Sequence, residues 1–320
     1  MIISIDFDET IVRGDFPNID ELIPKAKEVI SYWYSRGHEI IIDSCRTGDV
    51  ERQMRGFLKY NDIPFDWLNK NSPRRIRKYK TDTRKISCDL SIDDKNLFIQ
   101  SDMWFNGADV VQDSLWYTAD QLMMSMERPL IICIVGESGV GKTMVAEYFE
   151  YEYGVNLIQS YTDRNKRFEG ETGHKFVSPD RMDNLLLGDT IAETTYSEKG
   201  KPKARYCCLL DDVDRVNTYI ITEDGLKQLQ ENWDDVFDIY SIRIKRDYDK
   251  RLEAAGIDRV ARDEGRFTLP DSEYDFIINN VIEEKEYVYE QVREFVKKFR
   301  FKNRFEDYIP IADDELDEID

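Results

Sequence analysis

Histidine is nearly absent from this sequence: two residues, His38 and His174, in 320. That leaves no histidine-rich metal centre, and both are read as structural or surface residues, although His174 falls inside a segment that matters below. Cysteine is sparse too. Cys45, Cys88, Cys133 and the neighbours Cys207 and Cys208 show no metal-ligand spacing, and unpaired, scattered thiols fit a reducing cytoplasmic setting best. No apolar run approaches the ~20 residues that a membrane helix needs. The start, "MIISIDFDET", is a strand pattern with acids in it rather than a charged and then greasy leader. Internal repeats are missing, and only the end of the chain is of low complexity.

Positive charge is also in deficit. The formal net charge is -20, and it is uneven. Residues 1–127 carry 17 Lys+Arg against 22 Asp+Glu, and the remainder carries 28 against 43, including six acids in "IADDELDEID". Such a field repels a nucleic-acid backbone from the second half. One stretch runs the other way: "KNSPRRIRKYKTDTRK" (70–85) has eight basic residues and one acid. The plain reading is a solvated loop. The functional reading is a collar that draws a polyanion into a site.

What is present is folded-protein composition, 41% hydrophobic and 12% aromatic, in a chain long enough for two cores. "MIISIDF" reads as a buried strand that stops at acids. Helical spacing follows at Leu22, Ala26, Val29, Ile30 and Trp33, then "HEIIIDS" as a second buried strand, a helix over 49–60, and "SCDLSIDD" as a strand ending in acids. Strands alternating with helices imply a parallel sheet that works at its strand C-termini. "DSLWYTADQLMMSMERP" (113–129) reads as a closing helix and linker, after which "PLIICIVG" starts the pattern again. The expected architecture is α/β in two domains, each a parallel sheet flanked by helices: 1–112, then 130–305, with an acidic tail over 306–320.

In the first half, Asp6 and Asp8 stand two apart at a strand end, Ser44 ends the second strand, and Lys85 precedes a third that ends in Asp93 and Asp94. Two carboxylates held together are costly without a metal. In this order "DFDET", "IIIDSCR", "RKISCDL" and "SIDD" resemble the haloacid dehalogenase superfamily of phosphatases over roughly residues 1–110. The resemblance implies Asp6 as the nucleophile that forms an aspartyl phosphate and Asp8 as the acid and base. Mg²⁺ would be held by Asp6, Asp93, Asp94 and the Asp8 carbonyl, with Ser44 and Lys85 on the phosphoryl oxygens. Glu9 departs from the family, which more often has Gly there. The spacings from Thr10 to Ser44 and from Ser44 to Lys85 leave no room for a cap domain, so the site is expected to be open.

In the second half, "IVGESGVGKT" (134–143) meets the phosphate-loop pattern in full, with Gly136, Gly139, Gly141, Lys142 and Thr143 between a strand and a helix. Backbone N–H groups would cradle the phosphates of ATP, Lys142 would reach the β and γ groups, and Thr143 would bind Mg²⁺. The segment "SYTDRNKRFEGETGHKFVS" (160–178) resembles the acceptor-binding segment of guanylate kinases, which implies that Ser160, Arg164 and Arg167 hold a nucleoside monophosphate. The plainer reading makes the arginines surface groups balanced by Glu169 and Glu171. "TIAETTYSEKGKPKARYCC" (190–208) continues the resemblance, with Glu193 implied to read the base and Tyr206 to donate to the phosphate. "RDYDKRLEAAGIDRVARDEGRF" (246–267) looks like a lid carrying Arg251, Arg259 and Arg262, with Arg251 taken as the catalytic clamp. Asp163, beside the clamp, and Cys208, where the family offers a hydroxyl to the guanine edge, are departures that bear on specificity.

The leading expectation is a two-activity protein of nucleotide metabolism, a capless phosphatase followed by a nucleoside monophosphate kinase, using Mg²⁺ and ATP and acting on small-molecule nucleotides. The alternative is a polynucleotide kinase–phosphatase that heals nucleic-acid ends, which the basic stretch favours and the acidic second half disfavours. A third reading is non-enzymatic: nucleotide binding switches an interaction surface.

Overall fold

The computed structural model describes residues 1–94, 123, 127–198, 201–281 and 284–306. The chain forms two compact units. One comprises Met1–Glu127 together with the chain from Phe299 onward, and the other Arg128–Lys298. The first unit therefore holds the described residues 299–306, of which the sequence reading placed 299–305 in the second domain. The expected closing helix over 113–129 and the acidic tail fall almost wholly outside the described residues.

The first unit is built on a four-stranded parallel sheet in the order β5-β4-β1-β6. Its strands are β1 (Ile2–Asp6), β4 (Glu39–Asp43), β5 (Trp67–Leu68) and β6 (Leu90–Ile92), and a small pair, β2 (Val12–Arg13) with β3 (Glu21–Leu22), rises from the turn after β1. Ile3, Ile5, Ile40 and Ile42 point to one face, where α1 (Ala26–Ser35) and α2 (Gly48–Tyr60) lay down Val29, Ile30, Trp33, Met54 and Leu58. The three-and-four spacing of these apolar residues makes each helix one-sided. On the other face Ile2 and Ile41 meet Ile86, Trp67 and Cys88. At the end of α1, Gly37 takes φ 81°, and a side chain there would run into the backbone oxygen of Phe299, so glycine is needed where the returning chain crosses.

In the second unit a five-stranded parallel sheet runs β15-β14-β7-β13-β8. β7 (Leu130–Val135) is central and buried throughout, flanked by β14 (Asp238–Lys245) and β13 (Val216–Ile220), with β15 (Phe276–Asn279) and β8 (Asn156–Ile158) at the edges. The chain leaves β7 toward one side of the sheet and later returns to the other, so the C-terminal end of β7 is a topological switch point, where such sheets open a crevice. α4 (Lys142–Tyr153) follows the loop there and packs on α9 (Lys285–Lys298) through Phe149 against Phe295 and a stack of Tyr148 on Tyr289 at 4.0 Å. A second, mixed sheet, β10-β9-β12-β11, comprises β9 (Tyr161–Thr162), β10 (Lys175–Phe176) and the long hairpin β11 (Thr190–Glu198) with β12 (Lys201–Leu209). The architecture is α/β with parallel sheets flanked by helices, as the alternating pattern implied.

Candidate functional sites

At the C-terminal edge of the first sheet, parallel register sets three aspartates abreast. Asp6 pairs with Asp43 on β4, and Ile5 pairs with Ile92, which puts Asp93 at the level of Asp6 on the other side. Carboxylate oxygens of Asp6, Asp93 and Asp94 all lie within 4.8 Å of one another. Burial first, then Asp93, Asp94 and Asp8, push the Asp6 carboxyl up to about 7, and burial and Asp93 raise that of Asp43. Like charges held this way favour a hard divalent cation, so the residues present fit Mg²⁺. Asp94 is steadied by its N–H donating to the buried Thr10 hydroxyl at 3.0 Å.

Asp8 is not free beside this cluster. The fully buried Arg46 donates Nη2 to Asp8 Oδ1 at 2.6 Å and Nε to both oxygens at 3.0 Å, and Ser44 Oγ reaches Oδ2 at 3.4 Å. Ser44 is itself fixed by its N–H donating to Asn69 Oδ1 at 2.8 Å. Glu9 takes φ 59°, in the left-handed region that favours glycine; its carboxylate accepts from the Gly14 N–H at 3.3 Å. Of the residues expected here, the structure brings together Asp6, Asp8, Ser44, Asp93 and Asp94. It does not bring in Lys85, which is exposed on the turn before β6, where its carbonyl accepts from Thr83. Arg46, Asp43 and Thr10 were not singled out from sequence, although Arg46 stands two residues after Ser44.

The basic stretch is not a collar around this site. Residues 73–79 form α3, capped by Ser72, and its Arg74 and Arg75 turn inward to Glu39 and Asp89. Glu39 opens β4 and Asp89 precedes β6, so these pairs lie at the N-terminal rim of the parallel sheet, opposite the aspartates. The residues that cover the face of Ile2 and Ile41, Trp67, Ile86 and Cys88, flank the stretch rather than lie in it.

In the second unit, the phosphate loop bends over the end of β7. Gly139 and Gly141 take φ 82° and 101°, and a side chain on Gly139 would come within 2.7 Å of the Arg251 oxygen. Lys142 Nζ donates to the oxygens of Gly136 and Glu137 at 2.7 and 2.9 Å, and burial lowers its amine to about 8. Thr143 is exposed in the first turn of α4. The neighbouring β13 supplies no carboxylate to it: the first acid beyond its end, Glu223, is held by Arg243, the Tyr274 hydroxyl and the N–H groups of Thr268 and Leu269. Thr143 is the residue expected here to hold Mg²⁺, with no acid from β13 beside it.

The segment expected to be a lid folds as α7 (Tyr248–Ala255) and α8 (Ile257–Asp263). Arg251 lies back on the loop, with Nε to the Ser138 oxygen at 3.4 Å and Nη1 3.7 Å from Glu137. Arg259 is the residue that faces the acceptor segment. Burial, then the charges of Arg167 and Arg262, lower its guanidinium, and its buried Nε has no hydrogen-bond partner among the described residues. The field of Arg259 and Arg262 also reaches Lys142. Asp263, not anticipated from sequence, accepts from the loop N–H of Ser138 at 2.6 Å and pairs with Arg262 at 3.2 Å.

Arg164 donates Nε to the Tyr206 hydroxyl at 3.0 Å and both terminal nitrogens to Glu171, which also accepts from the Arg167 N–H. These bonds hold the Glu171 carboxyl down at about 2, so Glu171 orients the arginines rather than merely balancing them. His174 sits against Tyr206, and burial with Arg164 and Arg167 drives its imidazole down to about 4. Ser160 turns instead to the Tyr219 hydroxyl at 3.0 Å. Asp163 is drawn off the clamp by Arg205 at 2.6 Å.

One expected pairing does not form. Across the hairpin Glu193 stands opposite Cys207, while Tyr206 stands opposite Thr194 and Cys208 opposite Ala192. Directly opposed residues share a face and neighbours alternate, so Glu193 leaves the side opposite to Tyr206. There it meets Thr190 and Gln228, beside Asn232 and Trp233, in a polar groove of about 470 Å³.

No family model matches the chain, and no curated protein matches it. Among solved structures, it is similar to a guanylate kinase from Anaplasma phagocytophilum, 19% identical, covering 56% of this chain and 89% of that one at a TM-score of 0.41. It is also similar to a conserved protein from Bacteroides thetaiotaomicron, 27% identical, covering 38% of this chain and 91% of that one at a TM-score of 0.31. With both scores below 0.5, neither likeness bears on what this chain does. Among the described residues no helix is long and apolar enough to cross a membrane.

Proposed function

We propose that the chain joins two phosphoryl-transfer sites, a Mg²⁺-dependent aspartate-nucleophile phosphatase in the first unit and an ATP-dependent nucleoside monophosphate kinase in the second. The observation behind the first is the carboxylate cluster of Asp6, Asp93 and Asp94 at a sheet's C-terminal edge. Mg²⁺ there would neutralise phosphoryl charge and keep Asp6 ionised for attack. Asp6 bonds to phosphorus as the ester P–O bond breaks, and the leaving oxygen takes a proton from Asp8. Asp8 then removes a proton from the water that cleaves the aspartyl phosphate. Arg46 orients Asp8 for both transfers.

For the second unit the supporting observation is the glycine loop with Lys142 at the C-terminal end of β7, in one unit with Arg164 held by the Tyr206 hydroxyl and Glu171. Arg164, Arg167 and Tyr206 would hold the acceptor phosphate, whose oxygen attacks the γ-phosphorus of ATP while the bond to ADP breaks. Lys142 and Arg259 would meet the charge that develops. Guanine specificity is not part of the proposal, because Glu193 is turned away and Cys208 faces Ala192. End-healing of nucleic acid is not favoured, since Arg74 and Arg75 of the basic stretch are engaged at the far rim.

The test is ADP formation from ATP and Mg²⁺ across ribo- and deoxyribonucleoside monophosphates and a 5′-hydroxyl oligonucleotide, using Asp6→Asn so that product is not erased. Turnover of one monophosphate supports the kinase reading and names its base. Labelling of the oligonucleotide alone would overturn it.

A further inference from the structure

We infer that Phe16 is the platform on which the substrate's base stacks at the phosphatase site, and hence that this site takes a nucleoside monophosphate. The inference rests on the phosphatase reading above. Phe16 is 62% exposed, on the loop between β2 and β3. A large apolar ring left in water is unremarkable when it is mobile and isolated, but this one is fixed. Its loop is closed by the Asn18 N–H on the Asp15 oxygen and the Asp20 N–H on the Arg13 oxygen, both at 2.9 Å. The Arg46 guanidinium lies 5.1 Å from the Phe16 ring centre and 5.3 Å from that of buried Phe7, and donates to the oxygens of Pro17 at 2.8 Å and Asn18 at 3.3 Å.

The same guanidinium grips Asp8. One buried side chain therefore sets the position of both the group assigned to the leaving oxygen and the exposed ring. In a nucleotide the leaving oxygen belongs to the sugar, which carries the base, and Arg46 links the side chain assigned to that oxygen with the exposed ring. Aromatic stacking is tolerant of which base it receives, so this ring selects for a base rather than among bases. A mononucleotide fits better than a polymer. The chain's net charge is -20, and two arginines of its basic stretch pair with carboxylates at the opposite rim of the sheet.

The experiment measures Mg²⁺-dependent phosphate release by wild type, Phe16→Ala, Phe16→Trp and Asp6→Asn from 3′- and 5′-nucleoside monophosphates, a 3′-phosphorylated oligonucleotide and glycerol phosphate. The expected result is a kcat/KM preference of wild type for a mononucleotide over glycerol phosphate. That ratio falls about tenfold in Phe16→Ala, through KM, and is restored in Phe16→Trp, about 1.4 kcal/mol being the scale of one base–aromatic stack. An unchanged ratio in Phe16→Ala would overturn the inference, as would preference for the oligonucleotide, while leaving the phosphatase intact. Release of phosphate by wild type no faster than by Asp6→Asn from every substrate would remove the phosphatase reading and the inference together.

Discussion

Asp8 takes its geometry from Arg46, and the two have to be considered as one group. Three hydrogen bonds from a planar fork fix both carboxylate oxygens, and lysine cannot reproduce a fork. Arg46→Lys should keep the charge and the fold, melt lower by about 1–3 kcal/mol of stability, and lower kcat for phosphate release on the order of 10- to 100-fold through misplacement of Asp8. Wild-type kcat in a folded Arg46→Lys protein would show that Asp8 needs no such orientation. Asp6 makes a second prediction, through pH. Its carboxyl stands at about 7 in the fold against an ordinary 3.8, so the stability it contributes is present below about pH 4 and is lost as pH rises through 7. Without metal, the melting temperature of Asp6→Asn should exceed that of wild type by a margin that widens from pH 4 to pH 8. Saturating Mg²⁺ should reverse the order, because the ion favours the carboxylate. A constant margin would mean that Asp6 titrates normally. The clustering of Asp6, Asp93 and Asp94 was legible in sequence because acids ending strands are a local pattern. Arg46, Asp43 and Thr10 were not, because their roles come from strand register and from a contact across the sheet edge.

At the scale of elements, α8 is tied to the phosphate loop by its last residue, Asp263. The Asp263 carboxylate accepts from the Ser138 N–H, a donor of the kind that phosphate would use, and it is buried there between Arg262 and the field of Lys142. Burial raises its carboxyl, but the Ser138 bonds and Arg262 outweigh that and hold it below the ordinary range. An anion in that place competes with a nucleotide. Asp263→Asn should therefore bind ATP more tightly, by about tenfold if one charge-assisted contact of ~1.4 kcal/mol is at stake, as titration calorimetry would show. Weaker binding would mean that Asp263 braces the loop with nucleotide present. Element types were well marked in sequence, since apolar period and the glycine-rich loop are local. Faces were not. Glu193 and Tyr206 were expected to address one ligand, yet a single residue of register across the hairpin separates their faces, and sequence spacing through a turn does not set that register. The stretch 70–85 misled for a related reason: charge composition does not show that Arg74 and Arg75 point inward.

For the whole molecule, the informative feature is that the chain leaves the first unit after Glu127 and comes back to it at Phe299. The return is secured by charge taken out of water. Arg304 and Arg36, each about 2% exposed, meet Glu127, with Nε of Arg304 3.4 Å and Nη2 of Arg36 2.8 Å from its carboxylate, and His38 fully buried at 3.6 Å. Burial would raise the Glu127 carboxyl, but His38, Arg304 and Arg36 bring it down to about 2. The stability it contributes is thus present above about pH 4.5 and lost as pH falls through 2. None of this was legible in sequence, because the partners lie at positions 36, 38, 127 and 304 and each alone looks like a surface charge. Removing the one acid strands buried cations, which costs about 3–5 kcal/mol. Glu127→Ala should therefore unfold at lower urea than wild type at pH 7, and hydrogen exchange should quicken in β1 and β4. The difference should shrink toward pH 2, where wild-type Glu127 itself begins to take up a proton. A chain ending at Lys298 should show the same quickening in β1 and β4, because it lacks Arg304, the partner of Glu127, with β7 and β14 exchanging as in wild type. If β1 and β4 stay protected in both proteins, the returning segment is an appendage, and the first unit is complete without it.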